Sequence, residues 1–212
     1  MMDRTTRWQQ TWQQLGMPLP PQDVFEALLA GYREPRRHYH TLQHLDECFA
    51  NFDRLVDEGP HPGEIALALW YHDAVYDAQR NDNEARSSEM ARDCLRAAGA
   101  GAAVIDRVDA LIMSTRHHVP EGDPDRAVLI DVDLAILGST PERFAEYERQ
   151  IRAEYAHVPD ALYREKRREV LEGYLGRSRI FATQRFHDAY EEKARENLRA
   201  SLRASTIPQQ AA

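Results

Sequence analysis

Glu64-Ile65-Ala66-Leu67-Ala68-Leu69-Trp70-Tyr71-His72-Asp73 is the stretch on which the reading of the whole chain turns. From Ile65 to Tyr71 every residue is apolar, so no polar face is left for solvent. A membrane span needs about 20 such residues, and this run and the next longest, Ala127–Leu137, are both too short. Read as a short helix hydrophobic all round, 64–73 belongs at the centre of a fold. It ends on a histidine and an aspartate, and a buried charge there must be paired or bound to a metal.

Outward from this segment nearly every periodic stretch has a helical period. Upstream, residues 41–57 set Leu42, Leu45, Cys48, Phe49, Phe52, Leu55 and Val56 on one broad face, before the break Gly59-Pro60-His61-Pro62. Earlier still, Trp8, Trp12 and Leu15 mark a helix over 4–16, and Val24, Phe25, Leu28 and Leu29 mark another that stops near Gly31. Downstream, Asn81-Asp82-Asn83-Glu84 opens a helix carrying Met90, Cys94 and Leu95, and a further one runs to about Thr115. Residues 117–125 read as a polar connection, and 126–137 as a second buried helix. Pro141 and Pro159 stand where helix starts favour proline, predicting helices over 141–157 and 159–175, and a last one covers 184–204. No alternating strand pattern and no internal repeat interrupts this. The expectation is an all-α, compact multi-helix bundle forming one domain over 1–204, with 205–212 a disordered tail.

The chain has 212 residues and a formal charge of -8, which argues against a protein that wraps a nucleic-acid polymer. A small anionic substrate is still compatible, because local arginines can act within an acidic molecule. The polar start, Met1-Met2-Asp3-Arg4-Thr5-Thr6, has no signal-peptide character, and Cys48 and Cys94 read as reduced core thiols. A cytoplasmic protein with no membrane partner is expected; a homodimer through the long final helix is left open.

Four residues then form a constellation: His44 in helix 41–57, the doublet His72-Asp73, and Asp133 within Val128-Leu129-Ile130-Asp131-Val132-Asp133-Leu134. Two imidazoles and two carboxylates from three helices make a reasonable donor set for a divalent transition metal, with positions left for water or substrate. The alternative is that each is a helix-end or core residue with an ordinary hydrogen bond.

The chain resembles the HD superfamily of metal-dependent phosphohydrolases, whose pattern is a histidine, a later His-Asp doublet and a final aspartate on a helical scaffold. It is similar in particular to small HD phosphohydrolases of about this length. The segments that carry the likeness are Tyr32-Arg33-Glu34-Pro35-Arg36-Arg37-His38-Tyr39-His40 leading to His44, and Trp70-Tyr71-His72-Asp73-Ala74-Val75-Tyr76-Asp77. Asn83-Glu84 with Ser87-Ser88, and Asp131-Val132-Asp133-Leu134-Ala135-Ile136-Leu137-Gly138, extend it, so that it covers roughly residues 8–181. The resemblance implies an HD-like bundle with His44, His72, Asp73 and Asp133 as ligands. The ion would be one divalent metal (Mn, Co, Ni, Fe, Zn or Mg), with a second as an option. The related hydrolases of guanosine tetraphosphate read His-Asp-x-x-Glu-Asp; here Tyr76 stands at the glutamate position, which argues against that substrate and leaves Asp77 as candidate base.

Around these ligands Arg37 and His40 are candidate phosphate contacts, though Arg37 can equally pair with Glu34 or Glu84 and organise its loop. Glu84 can orient a ligand or a water, or serve the start of its own helix. His117 is a candidate phosphate donor, and either it or His118 a ligand for a second metal. Asp77 has the plain alternative of a loop acid or cap. Three functions follow: hydrolysis of a small phosphate ester, a nucleotide among them; a di-iron HD-type oxygenase; or a non-enzymatic, metal-stabilised helical binding domain.

Overall fold

The apolar segment becomes the helix α4 (Pro62–Tyr71), with Ile65, Leu67, Ala68, Leu69 and Trp70 fully excluded from solvent. Proline stands at its first position, where the missing N–H costs nothing. It ends two residues before the expected Asp73: the His72 N–H still bonds to Ala68 O, and the chain then turns, with Ala74 N donating to Tyr71 O. His72 and Asp73 therefore lie on the exit of the helix, where adjacent side chains need not diverge.

The structure is a computed structural model that describes residues 2–206, with side chains to 204. Before α4 come α1 (Arg4–Gln14), α2 (Gln22–Gly31) and α3 (Leu42–Phe52); after it, α5 (Asn83–Ala97), α6 (Ala102–Ser114) and α7 (Pro124–Leu134). A 3₁₀ turn (Ala135–Gly138), α8 (Pro141–Glu154), α9 (Asp160–Leu175) and α10 (Gln184–Thr206) complete the chain. No strand occurs among the described residues, so the all-α expectation holds. No helix among them is long and apolar enough to cross a membrane. Helix α10 continues to Thr206, two residues into the expected tail, and 207–212 lie outside the described residues.

Packing divides the chain into two compact units between Asp133 and Leu134. In the first, α4 packs against α1, α3, α5 and α6. Trp70 anchors it: its ring meets Trp8, Phe25 and Phe49 edge-on or tilted, at centroid separations of 5.5, 5.6 and 4.7 Å. Its indole N–H donates to Thr11 Oγ1 at 3.1 Å. Such pairs add about 0.5–1.5 kcal/mol each beyond the area they bury.

Helix α3 stops five residues short of the expected 57, because two successive turns, Leu55 N to Phe52 O and Glu58 N to Leu55 O, tuck Leu55 wholly into the core. Helix α7 starts earlier than expected, as Asp123 Oδ1 accepts from the N–H groups of Asp125 and Arg126 and Pro124 takes the first turn.

In the second unit α10 packs against the 3₁₀ turn and α9, and α8 against the 3₁₀ turn. Gly138 allows the approach, since a Cβ there would stand 2.6 Å from that of Tyr190. Asn197 Nδ2 donates to Leu137 O and Ser139 O, and Glu191 accepts from the N–H groups of Ile180 and Phe181.

Candidate metal centre

Helix α3 begins at Thr41, whose hydroxyl accepts from Gln43 N, and turns His44, Leu45, Cys48, Phe49 and Phe52 inward. His44 meets the exit of α4 from there. That exit is held by two elements. Gly31 lets the end of α2 come against it, since a Cβ at residue 31 would lie 2.6 Å from Ala74 O. Arg37 then clamps it: its guanidinium, wholly enclosed, donates to Asp73 O at 2.5 Å and Ala74 O at 2.9 Å. From the end of α7 comes Asp133.

The four expected ligands converge. His44 Nε2 and His72 Nε2 are 3.1 Å apart. Asp73 Oδ2 is 3.4 Å from the first and 3.1 Å from the second. Asp133 Oδ1 is 3.2 and 3.6 Å from the same two atoms. Around an ion with bonds of about 2.1 Å, neighbouring donors stand about 3.0 Å apart in an octahedron and about 3.4 Å apart in a tetrahedron. Four of the five separations fall within that range, and the fifth, His72 to Asp133 at 3.6 Å, slightly exceeds it.

Proton bookkeeping sharpens the point. His72 Nδ1 lies 2.8 Å from Leu69 O, and a carbonyl can only accept, so Nδ1 carries the proton. In the neutral ring Nε2 is then a bare lone pair, facing two carboxylate oxygens and a second imidazole nitrogen. Only a cation among them, protons or a metal ion, makes this favourable.

The ionisation tendencies agree. Burial drives both imidazoles toward neutrality, but the acidic surroundings outweigh it and hold both well above the ordinary histidine value: Cys48, Tyr39, Asp133 and Asp73 for His44, and Asp73, Tyr32 and Asp133 for His72. Burial likewise opposes ionisation of the carboxyls. It is overcome at Asp73 by His72, His40 and His44, and at Asp133 by His118, His44 and His72, so both carboxyls lie well below their usual range.

The histidine side chains are almost wholly buried, whereas those of Asp73 and Asp133 keep 18% and 13% exposure, so the open side of the cluster is the carboxylate side.

Two further residues join. Cys48 Sγ is 3.6 Å from His44 Nε2, and one donor atom from each of His44, Cys48, His72 and Asp133 lies within 4.8 Å of the others, a set able to hold a metal ion. The sequence reading had Cys48 as a core thiol; its place one helical turn after His44 was the available signal. His118, not His117, reaches the cluster, with Nε2 2.9 Å from Asp133 Oδ2. It does so from a left-handed backbone, φ 51°, and nothing in the His117-His118 pair announces which one adopts it. His117 itself is exposed.

The other expected residues divide. Arg37 is enclosed and holds the Asp73–Ala74 turn through carbonyls, which corrects the expectation of a phosphate contact: a guanidinium with no exposed surface has none to offer an incoming phosphate. His40 stacks on Tyr76 at 3.9 Å and meets His44 edge-on at 5.8 Å, so it flanks the cluster. Asp77 is engaged in its loop: its carboxylate accepts from Gln79 N and Arg36, and its backbone is bridged by the Asn83 amide. The Gln79 N–H above all, helped by the Arg36 and Arg80 charges, holds its carboxyl below the usual range against the opposing effect of burial. Glu84 sits half-buried in the first turn of α5.

Compared with family models, characterised proteins and solved structures, the chain gave no match.

Proposed function

We propose that this chain is a metal-dependent phosphohydrolase of the HD type, acting on a small phosphate ester, with nucleotides among the candidate substrates. The observation that carries the reading is the convergence of His44 Nε2, His72 Nε2, Asp73 Oδ2 and Asp133 Oδ1 from separate helices. Two imidazoles with two carboxylates suit borderline divalent ions such as manganese, iron, cobalt, nickel or zinc better than magnesium, which prefers all-oxygen sites. An ion held there supplies Lewis acidity, acidifying water and polarising a phosphoryl oxygen.

The chain's own groups do the rest. Arg37 fixes the turn that aims the Asp73 carboxylate. Asp133 divides its two oxygens between the ligand cluster and His118. His118, joined to Asp133 through Nε2, is the histidine placed beside the cluster to give the leaving oxygen its proton. Water adds to phosphorus as the ester P–O bond breaks; the leaving oxygen takes its proton from His118, the proton lost by water passes to solvent, and His118 is reprotonated from solvent. Asp77 serves as a loop acid in this scheme, because a carboxyl held below its usual range is a weak base near neutral pH.

The test combines elemental analysis with a screen of phosphate release from nucleoside monophosphates, triphosphates and simple esters, with manganese, cobalt, nickel, zinc or magnesium added. Roughly one divalent ion per chain, and release that disappears in His72→Ala and Asp133→Asn, is the expected result. No ion bound and no release under any metal overturns the proposal. Two irons per chain with oxygen consumption would replace it by the oxygenase.

A further inference from the structure

We infer that the centre accepts thiophilic ions, zinc or cadmium, through a second donor set, in which Cys48 Sγ takes the place of the Asp73 carboxylate beside His44, His72 and Asp133. This rests on the reading that His44, His72 and Asp133 hold a metal ion, and adds which metals the site distinguishes.

Three observations carry it. Cys48 follows His44 by four residues on α3, so both side chains leave one face of the helix. The thiol is free and buried, and lies 3.6 Å from His44 Nε2 and 3.7 Å from Nδ1. In a tetrahedral zinc site with Zn–S about 2.3 Å and Zn–N about 2.05 Å, sulfur and nitrogen stand roughly 3.5 Å apart. Equal distances to both nitrogens put the sulfur beside the ring rather than along the Nε2 lone pair. Ligation therefore asks the sulfur to move toward the side of the ring where the Nε2 lone pair points. Third, Asp73 has the more exposed side chain, at 18%, whereas Cys48 is 2% exposed, so exchanging one for the other draws the ion toward the interior.

The chemistry separates the two sets. A thiolate is a soft donor that selects zinc and cadmium, whereas paired carboxylates favour harder ions. Two imidazoles, one thiolate and one carboxylate complete a tetrahedron, the closed form of a structural zinc site, while two imidazoles and two carboxylates leave an octahedral ion open positions for water and substrate. In forming the closed set the Cys48 S–H bond breaks, its proton passes to solvent and a sulfur–metal bond forms, with no electron transferred. The closed set leaves no position for water or substrate, whereas the carboxylate set that holds manganese keeps such positions.

The experiment titrates the metal-free full-length protein, and its Cys48→Ser and Cys94→Ser variants, with cadmium or cobalt ions alone, following the near-ultraviolet sulfur-to-metal charge-transfer absorption and the bound stoichiometry. Manganese binding is measured in parallel. The expected result is a charge-transfer band in the wild type and Cys94→Ser that is lost in Cys48→Ser, with cadmium affinity falling by about tenfold or more and manganese still bound. Manganese bound without a sulfur band, or a band that persists in Cys48→Ser, overturns the inference and leaves the hydrolase reading standing. No ion bound by the wild type overturns both. If Cys48→Ser fails to bind manganese, Cys48→Ala is read by the same criteria.

Discussion

Asp133 serves two partners at once: its Oδ2 lies 2.9 Å from His118 Nε2 while its Oδ1 lies 3.2 Å from His44 Nε2. One carboxylate thus joins the ligand cluster to a histidine from the loop between α6 and α7. The left-handed backbone of His118 costs about 1 kcal/mol, and that contact offsets it.

Replacing His118 with alanine removes the partner of Asp133 Oδ2 and is expected to weaken metal binding about tenfold to a hundredfold. His118→Asn tolerates the left-handed conformation and keeps a donor, so it is expected to recover part of the affinity but not phosphate release. Metal titration and turnover on each variant check this; unchanged affinity in His118→Ala means that the contact carries no weight.

Arg37→Met tests the clamp against the phosphate role. Two buried carbonyls, Asp73 O and Ala74 O, would each lose a charged donor. The expected loss of stability is about 3 kcal/mol, seen in thermal or denaturant unfolding of the metal-free protein. A raised KM with unchanged stability is the contrary outcome.

Metal binding should strengthen as pH rises, because an ion must displace the protons that the cluster otherwise carries. His44 and His72 have raised values in the metal-free fold, so their stabilising contribution is complete below the unfolded histidine value and is lost as pH rises through the folded one. The Tm difference between metal-loaded and metal-free protein is therefore expected to widen from pH 6 toward pH 8. It should approach about 5–10 °C when the free ion exceeds its Kd about a hundredfold. A constant difference across that range would mean that the histidines carry no proton without metal.

In the second unit Glu191 accepts from Ile180 N and Phe181 N and pairs with Arg195, which ties the segment before α10 to the helix. Burial opposes its ionisation, but these bonds hold its carboxyl below the usual value. A lowered folded value means that the contribution is present above the unfolded glutamate range and lost as pH falls through the folded one. Glu191→Gln should thus cost about 1–3 kcal/mol near neutral pH and progressively less in acid, as unfolding curves at several pH values will show.

By itself the sequence determined the helical architecture and the central place of α4, because apolar periodicity is a local pattern; the grouping of His44, His72, Asp73 and Asp133 as ligands was what the resemblance implied, and their distances are a property of the packed fold. Where the helices end was less legible: α3 stops at Phe52 because Leu55 is drawn into the core, a choice made by packing rather than by propensity. The surroundings of the centre were decided by the tertiary structure alone. Arg37 looks like a phosphate ligand in a basic, aromatic segment, and becomes a clamp only because the α4 exit presents it with two carbonyls. His118 rather than His117 reaches Asp133 because one backbone angle turns left-handed, and Cys48 passes from core thiol to candidate ligand because the exit of α4 brings His72 against α3. Periodicity carries the direction of a side chain from its own helix; what that side chain meets depends on residues far away in the chain, and only the packed fold brings them together.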